Sequence, residues 1–451
     1  MPYAEMRYNT KHPAKWRKYQ AELQKSAKGK PYLKKLRFLL TIAVGLLMVL
    51  VIFLLAGFRI SDRWSRAGQN SSPVENDLNA TQLKLTRKDL SVFLTDITGN
   101  PLALTDQIVH KNEGGRYSIR TTINAKLQNY IAQLQNRSRT LQSAVVVLNP
   151  YDGRVIAMVG YDANGSTGNL SLKADYPAAS LFKIVSASAA LESAGFTPDK
   201  TLYFSGRRHT LYKNQLKPSK GRYSTKTTFR KAFALSNNSV FGKLGIYDLG
   251  QEVLAGYAEK FLFNKTITFD LPLEMSTIEV PADDFGLAEI ASGFNKKTLI
   301  SPLHATLLAA VAANRGKMPI PWLVKTIQDD AGNIVYNADP GLLNAAVSSQ
   351  TAADLKALMQ DAVRYGTSRK AFRRLRRKRL FKEFEMGAKT GTINDKMDRY
   401  KYDWLTAYAL SPDGTRGICI GVLGVHGKIL GTRSTELGRA IINYYFSSKL
   451  G

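Results

Sequence analysis

The chain has 451 residues, 44% of them hydrophobic and 10% aromatic, which is enough to bury a large core and excludes an intrinsically disordered protein. The single cysteine, Cys419, excludes a disulfide framework within the chain, and the five histidines show no metal-ligand spacing, so the sequence offers no metal site. The net charge of +29 is typical of nucleic-acid binding unless the charge has another explanation.

An uncharged segment over residues 38–58 is long enough, as a helix, to cross the hydrocarbon core of a bilayer. The 37 residues before it carry 11 Lys and Arg against two Glu, and the positive-inside rule places such a tail in the cytoplasm. This leader is also much longer than the charged region of a cleaved signal peptide. We therefore predict a basic cytoplasmic tail over 1–37, a single transmembrane helix over 38–58, and an extracytoplasmic remainder in which nucleic acid is not an expected partner.

The next region, residues 59–116, begins with a polar stretch rich in Ser, Asn and Gly, which predicts a linker followed by a small pedestal. Within the pedestal, the segment 90–104 contains the turn signal Thr98-Gly99-Asn100-Pro101, which predicts two short strands. One large domain is predicted over 117–451. Its predicted helices lie near 125–135, 180–191 and 435–445, and its predicted strands at 143–148, 155–160, 404–410 and 417–425. Strands at both ends with helical sequence between them favour an α+β fold, an antiparallel sheet flanked by helices.

Three short motifs each occur once in the chain: S-x-x-K at Ser180–Lys183, S-x-N at Ser236–Asn238, and K-T-G at Lys389–Gly391. Their order is similar to the motif set of penicillin-binding proteins and class A β-lactamases, with Asn237 where that set has Asp. Each motif alone would be a weak signal. Together they indicate an enzyme with a serine nucleophile.

The spacing of the first motif has a chemical reason. If Ser180 begins a helix, Lys183 lies one turn further on the same face, so that its amine can approach the hydroxyl. A serine hydroxyl attacks only when a base takes its proton, and a lysine can act as that base only when its pKa is lowered. Burial and the charge of Lys389 would lower it. We predict that Ser180 is the nucleophile and Lys183 its general base.

Residues 117–451 resemble the transpeptidase domain of penicillin-binding proteins, most clearly at 121–128, 149–158, 176–183 and 301–316, and Asp403-Trp404 resembles the strand of the class A, bifunctional members. The resemblance implies a serine D,D-transpeptidase/β-lactamase-like fold and an enzyme without cofactor that cross-links peptidoglycan stem peptides through an acyl-enzyme and is acylated by penicillin and other β-lactams. The catalytic roles that it implies are proton relay by Ser236, which Lys183 and Lys389 hold in place, and orientation of Lys183 by Asn238, which also hydrogen-bonds the substrate amide. The N–H groups of Ser180 and Thr392 would form the oxyanion hole. Thr390, Gly391 and Thr392 would bind the substrate, with Lys389 helping the two threonine hydroxyls to hold its terminal carboxylate.

The sequence departs from the family pattern in three respects. Residues 59–116 are too few for the glycosyltransferase domain of class A proteins, so a separate glycosyltransferase or other wall-synthesis protein is a candidate partner, besides the cytoplasmic membrane. Ala179 stands where the family usually has Gly. The stretch 364–382 carries ten Lys and Arg among 19 residues, which predicts either a solvated face or a surface that docks on lipid headgroups or acidic wall polymer.

Alternatives to the transpeptidase share the motifs or the fold. A D,D-carboxypeptidase would use water as the acceptor of the acyl group, and a β-lactamase-like hydrolase would turn β-lactams over. A non-catalytic cell-wall or divisome scaffold would keep the fold alone. The sequence leaves these alternatives open.

Overall fold

The structure, a computed structural model, describes residues 84–94, 104–112, 115–165, 168–218, 224–395 and 397–448. All of them belong to one compact unit, residues 81–451. The predicted cytoplasmic tail, the predicted transmembrane segment 38–58 and the predicted linker lie outside the described residues. Within the residues that are described, every helix is too short or too polar to span a bilayer.

The described residues form α-helices and β-strands, numbered here in chain order. The helices are α1 (Arg87–Phe93), α2 (Ala125–Asn136), α3 (Lys183–Ser193), α4 (Lys213–Leu216), α5 (Phe229–Ala234), α6 (Asn238–Leu244), α7 (Gly250–Lys260), α8 (Asp284–Ser292), α9 (Pro302–Ala313), α10 (Ser349–Arg364), α11 (Arg369–Arg376) and α12 (Ser434–Ser447). The strands are β1 (Gln107–Asn112), β2 (Gly115–Thr121), β3 (Gln142–Leu148), β4 (Val155–Asp162), β5 (Tyr176–Pro177), β6 (Thr201–Phe204), β7 (Thr225–Thr228), β8 (Leu299–Ile300), β9 (Lys317–Pro319), β10 (Val324–Gln328), β11 (Ile334–Asn337), β12 (Leu342–Ala345), β13 (Glu385–Asn394), β14 (Lys401–Leu410) and β15 (Gly417–His426).

The central sheet has five antiparallel strands in the order β13-β14-β15-β3-β4. It therefore joins strands from both ends of the domain, and this confirms the predicted α+β class. Helices cover both faces. Trp404 and Tyr408 of β14 pack on one face in a cluster with α3 and α9, whereas Leu405 and Ala407 pack on the other with α2 and α12. All ten residues of β15 are buried, because this strand lies in the middle of the sheet under both helical layers.

The predicted hairpin between β3 and β4 closes at the turn that the sequence indicated. The Asn149 side chain accepts a hydrogen bond from the Tyr151 N–H at 2.8 Å, an Asx turn that starts the reversal. Gly153 has φ of +79°, and a Cβ there would lie 2.0 Å from the carbonyl oxygen of Ile320. Only glycine fits both the left-handed backbone and the close approach of this neighbouring segment.

A second sheet, of order β1-β2-β10-β11, packs against α1 around Leu90, Tyr117 and Ile327. The prediction of strands from residue 90 is wrong in its first part, because Arg87–Phe93 form a helix that begins with a capping box between Thr86 and Asp89. The predicted turn at 98–101 lies outside the described residues. The boundary predicted between 116 and 117 falls inside β2, which pairs with β1 before it and with β10 much later in the chain.

Candidate active site

The first motif lies in a sharp turn on one face of the central sheet. Ala179–Phe182 form a single 3₁₀ turn that continues into α3, so that Ser180 is half-buried while the first eight residues of α3 are buried. Ala179 has φ of +50°, in the left-handed region that favours glycine. Gly293, which ends α8, supports the turn from behind, because a Cβ at that position would lie 2.0 Å from the Ala179 carbonyl oxygen.

Lys183 is completely buried, and its amine lies beside the predicted nucleophile. The Lys183 Nζ is 2.9 Å from the Ser180 Oγ and 2.8 Å from the Asn238 Oδ1, and it also donates to the carbonyl oxygen of Ser292. Burial lowers the pKa of Lys183 well below its ordinary value, and the charge of Lys389 lowers that pKa further. A neutral amine has two N–H groups, and these can donate hydrogen bonds to the Asn238 Oδ1 and the Ser292 carbonyl oxygen. In that form the amine has a lone pair that can accept the proton of the Ser180 hydroxyl at the 2.9 Å contact.

The second motif forms the turn between α5 and α6. Ser236 has φ of +53°, and this left-handed residue reverses the chain. The side chain of Asn237 caps α6 by accepting from the Val240 N–H at 3.1 Å, a role that Asp fills equally well, so the departure from the motif set keeps the local structure. Asn238 begins α6 and donates from its Nδ2 to the carbonyl oxygen of His209 at 3.1 Å, which fixes its amide toward Lys183.

The third motif lies on β13, the edge strand of the central sheet. The Lys389 Nζ is completely buried and donates to the Ser236 Oγ at 2.9 Å and to the carbonyl oxygen of Thr390 at 2.8 Å. Burial lowers the pKa of Lys389 to about 7. Two aromatic rings form an apolar floor beneath the lysines: Phe241 lies 5.5 Å from the Lys183 Nζ, and Phe233 lies 5.7 Å from the Lys389 Nζ.

The rest of the K-T-G segment borders the nucleophile turn. A Cβ on Gly391 would lie 3.2 Å from the Ala179 Cβ and 3.3 Å from the Ser180 nitrogen, so this strand passes close to the turn. The Thr390 Oγ1 donates to the Thr367 Oγ1 at 2.7 Å. Thr392 is exposed, and its Oγ1 lies 3.4 Å from the Asp403 Oδ1. The structure thus brings the three sequence-predicted motifs together at one site beside the edge of the central sheet, while the individual roles of their residues stay predictions.

Several neighbours of the site were not found from the sequence. Ser292 contributes a backbone carbonyl, which any residue type could supply, and Gly293 acts through the absence of a side chain. Phe233 and Phe241 look like ordinary core residues of α5 and α6. His209, one of the five histidines without metal-ligand spacing, belongs to the loop that holds Asn238. Burial lowers the pKa of His209, and the charges of Arg208, Lys183 and Lys389 lower it further.

Comparison with known proteins adds sequence relatives. A protein of Neisseria lactamica named "Penicillin-binding protein 1A" is 29% identical over 291 residues, which are 62% of this chain and 32% of that protein. A protein of Haemophilus influenzae named "Peptidoglycan D,D-transpeptidase MrdA" is 24% identical over 381 residues, 74% of this chain and 57% of that protein. The chain thus spans about a third to somewhat more than a half of the length of these relatives.

Among solved structures, the D,D-transpeptidase domain of a peptidoglycan glycosyltransferase from Eggerthella lenta superposes with a TM-score of 0.60 at 23% identity. The superposition covers 73% of this chain and 82% of that domain, and it establishes the same fold. The sequence model of the family "Penicillin binding protein transpeptidase domain" matches residues 143–441, which include every motif residue of the site. The chain therefore belongs to the penicillin-binding protein transpeptidase family.

Proposed function

We propose that this protein is a serine D,D-transpeptidase that cross-links peptidoglycan stem peptides through an acyl-enzyme on Ser180 and is acylated by β-lactams. The observation that carries the proposal is the 2.9 Å contact between the Ser180 Oγ and the amine of Lys183, whose pKa burial lowers. A serine hydroxyl beside an amine whose pKa is lowered, so that the neutral base is more accessible, is what acyl transfer requires. The name of the Haemophilus influenzae relative supports the same reaction.

In the acylation step, the Lys183 Nζ takes the proton of Ser180 as the Oγ attacks the carbonyl carbon before the terminal D-Ala. The tetrahedral oxyanion lies against the N–H groups of Ser180 and Thr392. As the C–N bond breaks, the Ser236 hydroxyl gives its proton to the leaving amine, and Ser236 regains a proton from the protonated Lys183, so that Lys183 is neutral again; Lys389 holds the Ser236 Oγ by donating to it at 2.9 Å. The ester of Ser180 and free D-Ala are the products, and the reaction uses no cofactor.

In the second step, an amine of another stem peptide attacks the ester carbonyl, and its proton returns to the Ser180 oxygen by way of Lys183. Substrate orientation depends on the K-T-G edge. Lys389 supplies positive charge, and the hydroxyls of Thr390 and Thr392 hold the terminal carboxylate of the donor peptide. Gly391 leaves room for the substrate backbone along β13, because a Cβ there would lie 3.3 Å from the Ser180 nitrogen, one of the two proposed oxyanion donors.

The first test is mass spectrometry of the purified full chain after exposure to penicillin G. We expect a stable adduct of one penicillin mass on the peptide that contains Ser180, and none in Ser180→Ala, with both proteins showing the same thermal unfolding. Absence of an adduct in the native protein would favour the non-catalytic scaffold. Rapid loss of the adduct with release of penicilloate would favour the β-lactamase-like hydrolase.

A second test separates the transpeptidase from the carboxypeptidase. A pentapeptide ending in D-Ala-D-Ala is incubated with the protein, with and without an added D-amino acid as the acyl acceptor. The transpeptidase produces the exchanged peptide in proportion to the acceptor and little tetrapeptide. A product that is tetrapeptide at every acceptor concentration assigns the protein as a carboxypeptidase.

The membrane arrangement is part of the proposal and depends on sequence. We propose a cytoplasmic tail over 1–37, a single transmembrane helix over 38–58, a linker and pedestal over 59–116, and the transpeptidase domain over 117–451 outside the cytoplasmic membrane. Its partners there are the membrane, stem peptides and a glycosyltransferase or another wall-synthesis protein. An epitope at the N-terminus should resist protease added to spheroplasts, and one at the C-terminus should not. Loss of both epitopes would refute this topology.

A further inference from the structure

The stretch 364–382 forms a cationic surface on the side of the sheet away from Ser180. Helix α11 buries Phe372 and Leu375 against α12 and leaves its charged residues in solvent. We call the exposed cations of this stretch the basic face, and they are Arg364, Arg369, Lys370, Arg373, Arg374, Arg376, Arg377, Lys378, Arg379 and Lys382. No acidic residue occurs in the stretch, so the basic face carries ten positive charges.

Few of these charges are neutralised by the protein. In the described part of the chain, Arg364 alone among them lies within 4 Å of a carboxylate, at 3.9 Å from Asp361. Arg376 donates to a carbonyl oxygen at 3.4 Å, and Lys378 donates to the Asn443 side chain at 2.6 Å. Like charges spaced three and four residues apart along α11 repel each other and weaken the helix. An anionic surface laid against the basic face would relieve that repulsion.

A cavity of about 480 Å³ opens within the basic face, between the end of α10 and the start of β13. Three of its lining residues are the cations Arg364, Arg376 and Lys382, and its apolar part includes Phe381, Phe384 and Met386. Two glutamates also line it, of which Glu385 pairs with Lys356. Its volume is in the range of small-ligand sites. Beside it, Leu380 is 48% exposed, an apolar side chain among cations.

We propose that the basic face docks on anionic phospholipid headgroups and that the cavity takes the phosphate of one of them. The cations attract the lipid phosphates, and the exposed side chain of Leu380 suits the region where headgroups meet acyl chains. A hydrophilic wall polymer or a nucleic acid would use the same charges but would gain nothing from this apolar side chain.

Docking of the basic face would also affect the position of the active site. Thr367 lies two residues before α11 and forms the 2.7 Å hydrogen bond with Thr390 on the K-T-G strand. The loop between α10 and α11 therefore connects the basic face directly to the substrate-binding edge. A docked protein would keep this end of the cleft close to the membrane surface.

The test uses the full chain in nanodiscs made either of phosphatidylcholine or of phosphatidylcholine with phosphatidylglycerol, each with a trace of acceptor-labelled lipid. Cys419 is completely buried, so a donor dye can be placed selectively at Ser447→Cys, which is exposed one turn after Asn443 on α12. We expect higher energy transfer in the phosphatidylglycerol discs, and we expect 1 M salt to remove the difference, since the Debye length falls to about 3 Å there.

Variants connect the signal to the cavity. Replacing Arg364, Arg376 and Lys382 by Gln should reduce the ratio of docked to undocked protein by about a hundredfold, because each cation near an anionic membrane contributes about fivefold. The matched control replaces three exposed lysines outside the basic face by Gln: Lys226 on β7, Lys317 on β9 and Lys325 on β10. This control should leave the energy transfer unchanged.

Three results would overturn the proposal. The first is equal energy transfer in both kinds of disc, and the second is an equal loss in the cavity variant and the control. The third is that the native protein shows no lipid docking but binds isolated cell-wall polymer or DNA, and that the cavity variant loses this binding. That result would assign the basic face to those polymers. Penicillin labelling of Ser180 is measured in every sample, so that a failure of docking is distinguished from a failure of the proposed enzyme.

Discussion

Replacing Lys183 by Arg is expected to abolish acylation while leaving the fold intact. Arginine keeps the positive charge but stays protonated at any pH that the protein survives, so it cannot accept the Ser180 proton. A positioned general base contributes about 10²- to 10⁴-fold to a rate, which corresponds to about 3–5 kcal/mol of barrier. The side chain at this site is completely buried, so the larger guanidinium should also cost about 1–3 kcal/mol of stability through overpacking.

The assay is stopped-flow acylation by a fluorescent penicillin, with Lys183→Met as the companion variant. If Lys183 acts as the base, both variants lose the rate to a similar extent, and the native rate falls at acid pH as Lys183 gains a proton, because the neutral amine exists only above its lowered pKa. If Lys183 contributes only charge, Arg should retain much more activity than Met. Acylation by Lys183→Arg within tenfold of the native rate would refute the reasoning.

Other predictions concern stability and the nucleophile turn. Burial moves the pKa of Lys389 from 10.5 to about 7, so the folded state binds fewer protons than the unfolded state between these pH values. The free energy of unfolding of the native protein should therefore rise by up to about 5 kcal/mol relative to that of Lys389→Met as pH rises from 7 to 10.5. If urea unfolding shows the same pH dependence of stability in both proteins, this prediction is wrong. Ala179→Gly should raise the free energy of unfolding by roughly 0.5–1 kcal/mol, since relief of about 1–2 kcal/mol of left-handed strain outweighs the added unfolded-state entropy; a lower melting temperature would argue against strain. Gly293→Ala should slow penicillin acylation of Ser180, because the added Cβ would displace the nucleophile turn. The control Gly195→Ala also has a positive φ, +62°, but its Cβ would meet nothing within 4 Å, so it should lose stability without slower acylation. Equal acylation rates in the two variants would show that Gly293 does not support the turn.

The sequence was informative wherever chemistry or periodicity repeats locally. The S-x-x-K spacing alone predicted the proximity of Lys183 to Ser180, since one helical turn brings these positions together in any helix. Apolar runs, β-branched in the first hairpin, predicted β3, β4, β14 and β15, and the structure confirms these strands with ends shifted by a few residues. The order of those elements along the chain predicted that strands from both ends of the domain join in one antiparallel sheet.

What the sequence did not predict depends on contacts between distant segments. The carbonyl oxygen of Ser292 lies 109 positions from Lys183, and nothing in its residue type marks it as an acceptor. Helix α1 was mistaken for a strand because Leu90, Val92 and Leu94 alternate like strand residues. The helix is stabilised by the capping box between Thr86 and Asp89 and by the burial of Leu90 against the second sheet.

The closure of the central sheet has a consequence for how the protein is made. β3 and β4 emerge early, but the neighbour of β3 is β15, and residues 163–384 separate β4 from β13. The hairpin of β3 and β4 must therefore wait for nearly the whole chain before its hydrophobic face is covered, and such distant pairing makes folding slow and aggregation-prone. Chains shortened before residue 385 should accumulate as insoluble or proteolysed fragments rather than as smaller enzymes.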